Sequence, residues 1–420
     1  MTKPNQLAVI GLGYVGLPLA VQAARQGIPC VGIDMNERVV AGLNSGRSHV
    51  DDIEDREISD ALEAGFRATT QTEILSECNT AIICVPTPLD EHQAPDLRAV
   101  TSAAQMIRDH LHAGMLVVLE STTYPGTTDG LVRNILEESG LRAGIDFSLA
   151  FSPERIDPGN ESFSLQNTPK IVGGLTPSCT VTACAFYQKI VDQVVPVSGT
   201  REAEMAKLLE NTYRHVNIAL VNEMAIFSRE LGVDLWESID AAATKPFGFT
   251  AFYPGPGVGG HCIPIDPNYL SHQVRTLGYQ FRFVELAQEI SNRMPAYVVT
   301  RIQNLLNDQG KAANGARVLL LGLTYKADIA DDRETPSRPI IRGLRQLGAD
   351  VVAHDPYLHH FNVDNTEVNL TSDLLAELER ADVVVLLQAH KTYDLAELTS
   401  RSSVILDTRG RLKGRNVERL

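Results

Sequence analysis

Cys262 lies in GPGVGGHCIPIDP (255–267), a stretch that places the thiol among four glycines and four residues ahead of Asp266. Such a thiol is either packed in a tight loop or a nucleophile. The chemistry that needs it is oxidation past the aldehyde, because an aldehyde has no second hydride to lose until a nucleophile adds. Thiolate addition gives a thiohemiacetal, hydride loss gives a thioester, and water releases a carboxylate. The other five cysteines fit this role less well: Cys30 and Cys84 lie in apolar strand patterns, and Cys78, Cys179 and Cys184 in ordinary helical or turn sequence, where a small idle thiol is the default. A reactive thiolate also needs a cation and donors for the oxyanion of the tetrahedral intermediate. Lys207 and Asn211, spaced i, i+4 in a helical pattern, offer an ammonium and an amide on one face. A solvated helix face is the competing reading. Glu154, in FSPERID directly after a strand pattern, is placed at the carboxyl end of a sheet as a base for water, against a capping role in the same turn.

A hydride acceptor is legible in GLGYVG (11–16), where Gly11, Gly13 and Gly16 follow a strand and open a helix, with Asp34 ending the next strand. The first glycine makes the turn, the second admits the pyrophosphate to backbone amides, the third packs helix on strand, and the acid meets the adenosine ribose. An acid there favours NAD over NADP. In GLTYKA (322–327) only the first glycine remains, and Lys326 stands in the turn, which suits a compact phosphate or a solvated loop equally.

These residues require an α/β fold: two Rossmann-like doubly wound lobes joined by a long central helix and a helical segment. Short β-rich runs (LAVIGLG, CVGIDM, TAIICVP, MLVVLES, FSLAFSP, QVVPVS) alternate with helical patterns up to about residue 200, and the rhythm returns near Ala316. Between them, the run from Arg201 reads as one helix stopped by Gly232, and residues 245–267 read as a structured loop. The expected divisions are 1–200 for the dinucleotide lobe, 201–300 for the central helical and dimerisation segment with the cysteine loop, and 301–420 for the second α/β lobe. The net charge of −15 and pI near 5.2 argue against nucleic acid and anionic membrane as partners. No cysteine spacing suits a metal site. The N-terminus lacks signal-peptide order, so a reduced, cytoplasmic protein is expected.

Through GLGYVGLP, CVPTPLDE, ESTTYPGTT, FSPERIDPGN, AKLLENTYRHVNIALVNE, GPGVGGHCIPIDP, GLTYKADIADDRETPS and LDTRG, the chain resembles the nucleotide-sugar (UDP-sugar) 6-dehydrogenases over essentially its whole length. The resemblance is to the branch acting on UDP-N-acetylhexosamines. It implies a C6 alcohol oxidised to a carboxylate with two NAD per sugar, and a homodimer or higher oligomer built around the long helix. UDP-N-acetylglucosamine is the expected substrate, with UDP-N-acetylmannosamine, UDP-N-acetylgalactosamine and UDP-glucose as alternatives. Carried over residue by residue, Cys262 is the nucleophile and Asp266 its partner. Lys207 and Asn211 hold the oxyanion, Glu154 handles water, and Thr122 positions a water near the nicotinamide. Tyr14, Val15, Pro86, Thr87 and Arg333 join the glycines on the cofactor side. Arg155, Tyr253, Gly259, His261, Lys326 and Arg409 join Glu154, Lys207 and Asn211 on the sugar-nucleotide side. Two departures from the UDP-glucose branch stand out: Pro158 replaces a second glutamate, and His261 and Ile265 flank the motif differently. A two-electron 3-hydroxyacid-type dehydrogenase would explain Gly11–Gly16 and Lys207 but neither the second lobe nor the cysteine motif. A non-catalytic nucleotide-sugar sensor would leave the full catalytic set without a use.

Overall fold

The computed structural model describes residues 6–50, 53–90, 94–157, 160, 162–260 and 262–420, with the backbone alone at 262 and 264. His261 and Pro158 therefore lie outside the described residues. The first sheet comprises β1 (Leu7–Ile10), β2 (Cys30–Ile33), β3 (Arg67–Thr69), β4 (Thr80–Ile83), β5 (Leu116–Leu119), β6 (Ser148–Phe151), β7 (Lys170–Gly174) and β8 (Val194–Val197). Its spatial order is β3-β2-β1-β4-β5-β6-β7-β8, parallel throughout except where β6 meets β7. Strands such as LAVI, TAII and LVVL are continuously apolar because helices cover both faces. Along β1, Leu7 and Val9 enter one core while Ala8 and Ile10 enter the other. The order reverses between β1 and β4, and the crevice at their carboxyl ends is where such sheets bind ligands. The sequence rhythm did not disclose β3, which has only three residues, or β7, which carries a buried lysine and two glycines.

The second sheet contains β9 (Arg317–Leu321), β10 (Asp350–His354), β13 (Asn369–Leu370), β14 (Val383–Leu386), β15 (Ile405–Asp407) and β16 (Val417–Arg419), and a small hairpin pairs β11 (Asn362–Val363) with β12 (Thr366–Glu367). Its order, β13-β10-β9-β14-β15-β16, is all parallel and repeats the order of the first six strands of the first sheet.

The central helix spans Thr200–Ser228 without glycine or proline, ending one turn before the expected stop at Gly232. One expectation is corrected. The loop read over 245–267 ends early, because a helix begins at Cys262 and runs to Thr276. Pro264 falls in its first turn, where a missing N–H costs nothing, and Pro267 forgoes one intrahelical bond. Further on, a single helix spans Arg282–Asp308, with Pro295 buried inside it. Two compact units divide the chain: residues up to Glu210 with Asn268–Tyr279, and Asn211–Pro267 with Gln280–Leu420. The unit boundary falls within the expected middle segment, inside the central helix.

Candidate functional site

The glycine turn after β1 is built as the dinucleotide reading requires. Gly11 adopts φ of 91°, and a Cβ there would stand 2.7 Å from the Cys84 carbonyl oxygen at the end of β4. Gly16 is equally constrained, since its Cβ would meet the Gly11 oxygen at 1.9 Å. Gly13 differs. It is exposed, and nothing in the protein lies within 4 Å of where its Cβ would be. No packing requirement within the protein explains this glycine, whereas a pyrophosphate drawn against the backbone does. Tyr14 and Val15 follow, half-buried. Asp34 accepts from the Leu12 N–H at 3.0 Å and the Asn36 N–H at 2.9 Å, so its carboxylate is held beside the glycine turn. These residues fit NAD.

The second lobe repeats the first glycine and the acid of this turn and then closes it. Gly322 adopts φ of 75° with its Cβ position 2.6 Å from the Gln388 oxygen, the counterpart of Gly11 against Cys84. Asp355, the counterpart of Asp34, accepts from the Leu323 N–H at 2.6 Å and the Tyr357 N–H at 2.8 Å. Its carboxylate is fully buried, however, because His390 contacts Oδ2 through Nε2 at 3.2 Å. The Asp328 N–H donates to His390 Nδ1, which places the imidazole proton on Nε2 facing Asp355. An acid occupied in this way cannot receive a ribose. Lys326 is half-buried in the turn that follows.

The first unit carries Glu154 and Lys207. Lys207 is buried, and its Nζ lies 4.0 Å from Glu154 Oε2, while Glu154 Oε1 accepts from the Ile156 N–H. Burial raises the Glu154 carboxyl above the usual range, with the Lys207 ammonium and the Ile156 N–H opposing it. A proton acceptor with raised affinity beside a buried cation is a general-base arrangement, and among the described residues the turn caps no helix. Arg155 binds Glu210 of the central helix at 2.7 Å and the Pro169 carbonyl at 2.6 Å, clamping the turn. Thr122 is half-buried beyond β5, where the preceding Ser121 donates to the Val85 carbonyl at 2.8 Å and so holds the segment beside Pro86 and Thr87. Tyr269, unremarked in the sequence, donates to the Thr87 carbonyl at 2.7 Å. Also unforeseen is Glu204. It is fully buried one turn ahead of Lys207 and accepts from the N–H groups of Gly126 and Thr128 and from the Thr128 hydroxyl. Burial pushes it to about 7.

The second unit carries Asn211 and Asp266, both buried, with Asn211 Nδ2 donating to Asp266 Oδ2 at 2.5 Å. Arg214 donates in turn to Asn211 Oδ1. The cysteine motif is therefore fastened to the central helix four residues after Cys262. Its glycines allow close packing within the second unit. Gly259 and Gly260 pass over Tyr325, with Cβ positions 2.7 Å from that side chain, and Gly260 N–H donates to the Arg333 carbonyl at 3.0 Å. Gly255 lies against Arg409, 3.1 Å from Nη1 to its Cβ position, and its N–H donates to Oδ1 of the buried Asn222 at 2.9 Å. Arg409 donates to the Leu387 carbonyl at 2.6 Å and is lowered to about 10 by burial. Arg333 forms a two-pronged pair with Asp331. Tyr253 stacks on Trp236 and donates to Asp240 at 2.7 Å. Cys30, Cys78, Cys84 and Cys179 are buried and form no disulfide, and burial pushes the Cys30 and Cys84 thiols up, so neither of those two is poised as a thiolate. No helix among the described residues is long and apolar enough to cross a membrane.

Comparison with known proteins matches three stretches to the UDP-glucose/GDP-mannose dehydrogenase family: the NAD binding domain at 5–191, the central domain at 201–293 and the UDP binding domain at 319–414. The UDP-N-acetyl-D-glucosamine 6-dehydrogenase of Pseudomonas aeruginosa is 38% identical over 358 residues, 85% of this chain and 84% of its own. The NDP-N-acetyl-D-galactosaminuronic acid dehydrogenase of Ralstonia solanacearum is 36% identical, covering 96% and 95%. The solved UDP-D-ManNAc dehydrogenase of Pyrococcus horikoshii matches with a TM-score of 0.88 at 33% identity, covering 99% of this chain and 98% of that one.

Proposed function

As this chain belongs to the UDP-glucose/GDP-mannose dehydrogenase family and is an NAD-dependent nucleotide-sugar oxidoreductase, we propose that it oxidises C6 of a UDP-N-acetylhexosamine, foremost UDP-N-acetylglucosamine, to the uronate. The observation that carries the covalent reading is the Asn211–Asp266 bond, which fastens the Cys262 motif to the helix that also bears Lys207. Supporting the sugar are GGHCIPIDP and the N-acetylhexosamine names of the relatives.

Bound NAD supplies the hydride acceptor at each of two oxidation stages. The glycine turn and Asp34 hold its pyrophosphate and ribose. Lys207 and Asn211 steady the oxygen at C6 as it becomes an oxyanion, and Thr122 places a water beside the reacting carbon. The Cys262 thiolate adds to the aldehyde carbon, forming a C–S bond. The thiohemiacetal then loses its hydride to become a thioester. Glu154 takes a proton from water as the oxygen attacks, the C–S bond breaks, and the thiolate leaves with the electron pair. Lys326 and Arg409 meet the nucleotide diphosphate and sugar from the second lobe. A second copy of the chain docks along the central helix.

The test is product analysis with NAD and UDP-glucose, UDP-GlcNAc, UDP-ManNAc or UDP-GalNAc supplied separately. UDP-GlcNAc is expected to turn over fastest, with two NADH per uronate. Cys262→Ser is expected to bind both ligands and stall before release. One NADH per product, or uronate made by Cys262→Ser at the wild-type rate, overturns the covalent mechanism.

A further inference from the structure

A second ionic cluster lies beneath Glu154. Lys170, the first residue of β7, is 4% exposed and donates to Glu120 Oε2 at 2.8 Å, and the Glu120 side chain is 1% exposed. The Tyr187 hydroxyl donates to the other Glu120 oxygen, and the Tyr187 ring lies 5.2 Å from Lys170 Nζ. A buried pair of this kind costs desolvation and is a poor source of stability compared with apolar packing. Its surroundings suggest another use. Lys170 Nζ also reaches the carbonyl of Pro153, the residue before Glu154, at 3.5 Å. On either side, the Ser152 hydroxyl donates to the Ile171 carbonyl at 2.8 Å and Arg155 donates to the Pro169 carbonyl at 2.6 Å. Three residues of the Glu154 turn are thus tied to the consecutive residues 169, 170 and 171.

We infer that the Lys170–Glu120 pair is a positioning device for Glu154: it fixes the turn that carries the base and sets the charge balance in which that base receives a proton from water. The inference rests on Glu154 acting in hydrolysis. The charged and titratable groups around Glu154 are Lys207 from the central helix, Lys170 from β7, and Glu120 from the end of β5, with the Arg155–Glu210 pair on the flank. Lys170 favours the ionised Glu154 and Glu120 disfavours it. Cys84 and Tyr187 complete the cluster as neutral groups, both pushed up by burial.

The two charges act in opposite directions, which separates this role from simple structural support. Lys170→Met leaves the Glu120 charge beside Glu154, and the acid limb of the pH profile for uronate release should move upward. Glu120→Gln leaves the Lys170 charge, and the limb should move downward, each by about half a pH unit or more. Lys170→Arg should restore the wild-type profile. Limbs that stay in place, or move together, overturn the inference. If a single variant does not fold, the uncharged double variant Glu120→Gln/Lys170→Met decides. It should form NADH in the first turnover as wild type does, but release uronate about tenfold more slowly, with the thioester accumulating on the Cys262 peptide by mass. Wild-type release from the double variant overturns the inference. Glu154→Gln is the control: uronate release at the wild-type rate from that variant would instead refute the assignment of Glu154 itself.

Discussion

Alanine substitution at two glycines of the same turn should separate folding from cofactor binding. At Gly11 a methyl group meets two obstacles: φ of 91° is left-handed, and the Cβ would stand 2.7 Å from the Cys84 oxygen and 3.1 Å from Val85 Cα. Left-handed backbone alone costs about 1–2 kcal/mol, and relieving the contact requires the end of β4 to move, so a total of at least about 2 kcal/mol is expected. In a unit of this size that lowers the melting temperature by roughly 4–8 °C. At Gly13 the Cβ has no protein neighbour within 4 Å, and φ is not in the left-handed range. Stability should therefore stay within about 0.5 kcal/mol of wild type. The methyl would occupy the space in which the pyrophosphate approaches the backbone amides. Losing one charge-assisted hydrogen bond there is worth about 1.5–3 kcal/mol, or a rise in the Kd for NAD of roughly 10- to 150-fold. Thermal melting without ligand and calorimetric titration with NAD read the two effects independently. A Gly13→Ala variant that binds NAD like wild type, or melts as early as Gly11→Ala, would refute the reasoning.

Glu204 gives a prediction about pH. Its folded value of about 7 lies above the ordinary 4.5, so the native state holds more protons than the unfolded chain between those values, and stability falls as pH rises from about 4.5 to about 7. The loss is on the order of 3 kcal/mol. Glu204→Gln should remove this slope from a plot of melting temperature against pH, and equal slopes in both proteins would sink the idea. The central helix makes a prediction about assembly: Leu209 is 64% and Leu220 53% exposed, with Met205, Tyr213 and Phe227 also exposed along it. Such apolar side chains suit burial against a second copy. Light scattering should find a dimer for wild type and a monomer for Leu220→Glu; an unchanged mass for the variant counts against this face.

Much of the first lobe was legible because its signals are local. Apolar strands of four residues, a glycine turn and an acid at the next strand end are each properties of short segments, and the fold joins them in chain order. The second lobe was legible as a fold and in its first glycine, but not in the acid that completes the counterpart turn. Gly322 and Asp355 are 33 residues apart where Gly11 and Asp34 are 23 apart, so no fixed period reveals them. The end of the cysteine loop was misread because prolines at 264 and 267 signal a break, although the first turn of a helix tolerates one. Glu120 and Lys170 carried a faint signal, an acid just beyond LVVL and a lysine opening KIVGG, charged residues in or beside buried strands.

The sequence by itself determined the residue types: a glycine turn with an acid for NAD, a thiol in a glycine-rich motif, and a lysine and asparagine one helical turn apart. Periodicity and turn chemistry act over a few residues, so a linear reading captures them. Only the tertiary structure decided the partners. It joined Asn211 to Asp266 across 55 residues and tied the Glu154 turn to Lys170 and, through it, to Glu120. It also gave Asp355 to His390 rather than to a ribose. Those pairings form where a buried polar group must find a donor or acceptor in three dimensions, and separation along the chain places no constraint on which one it meets.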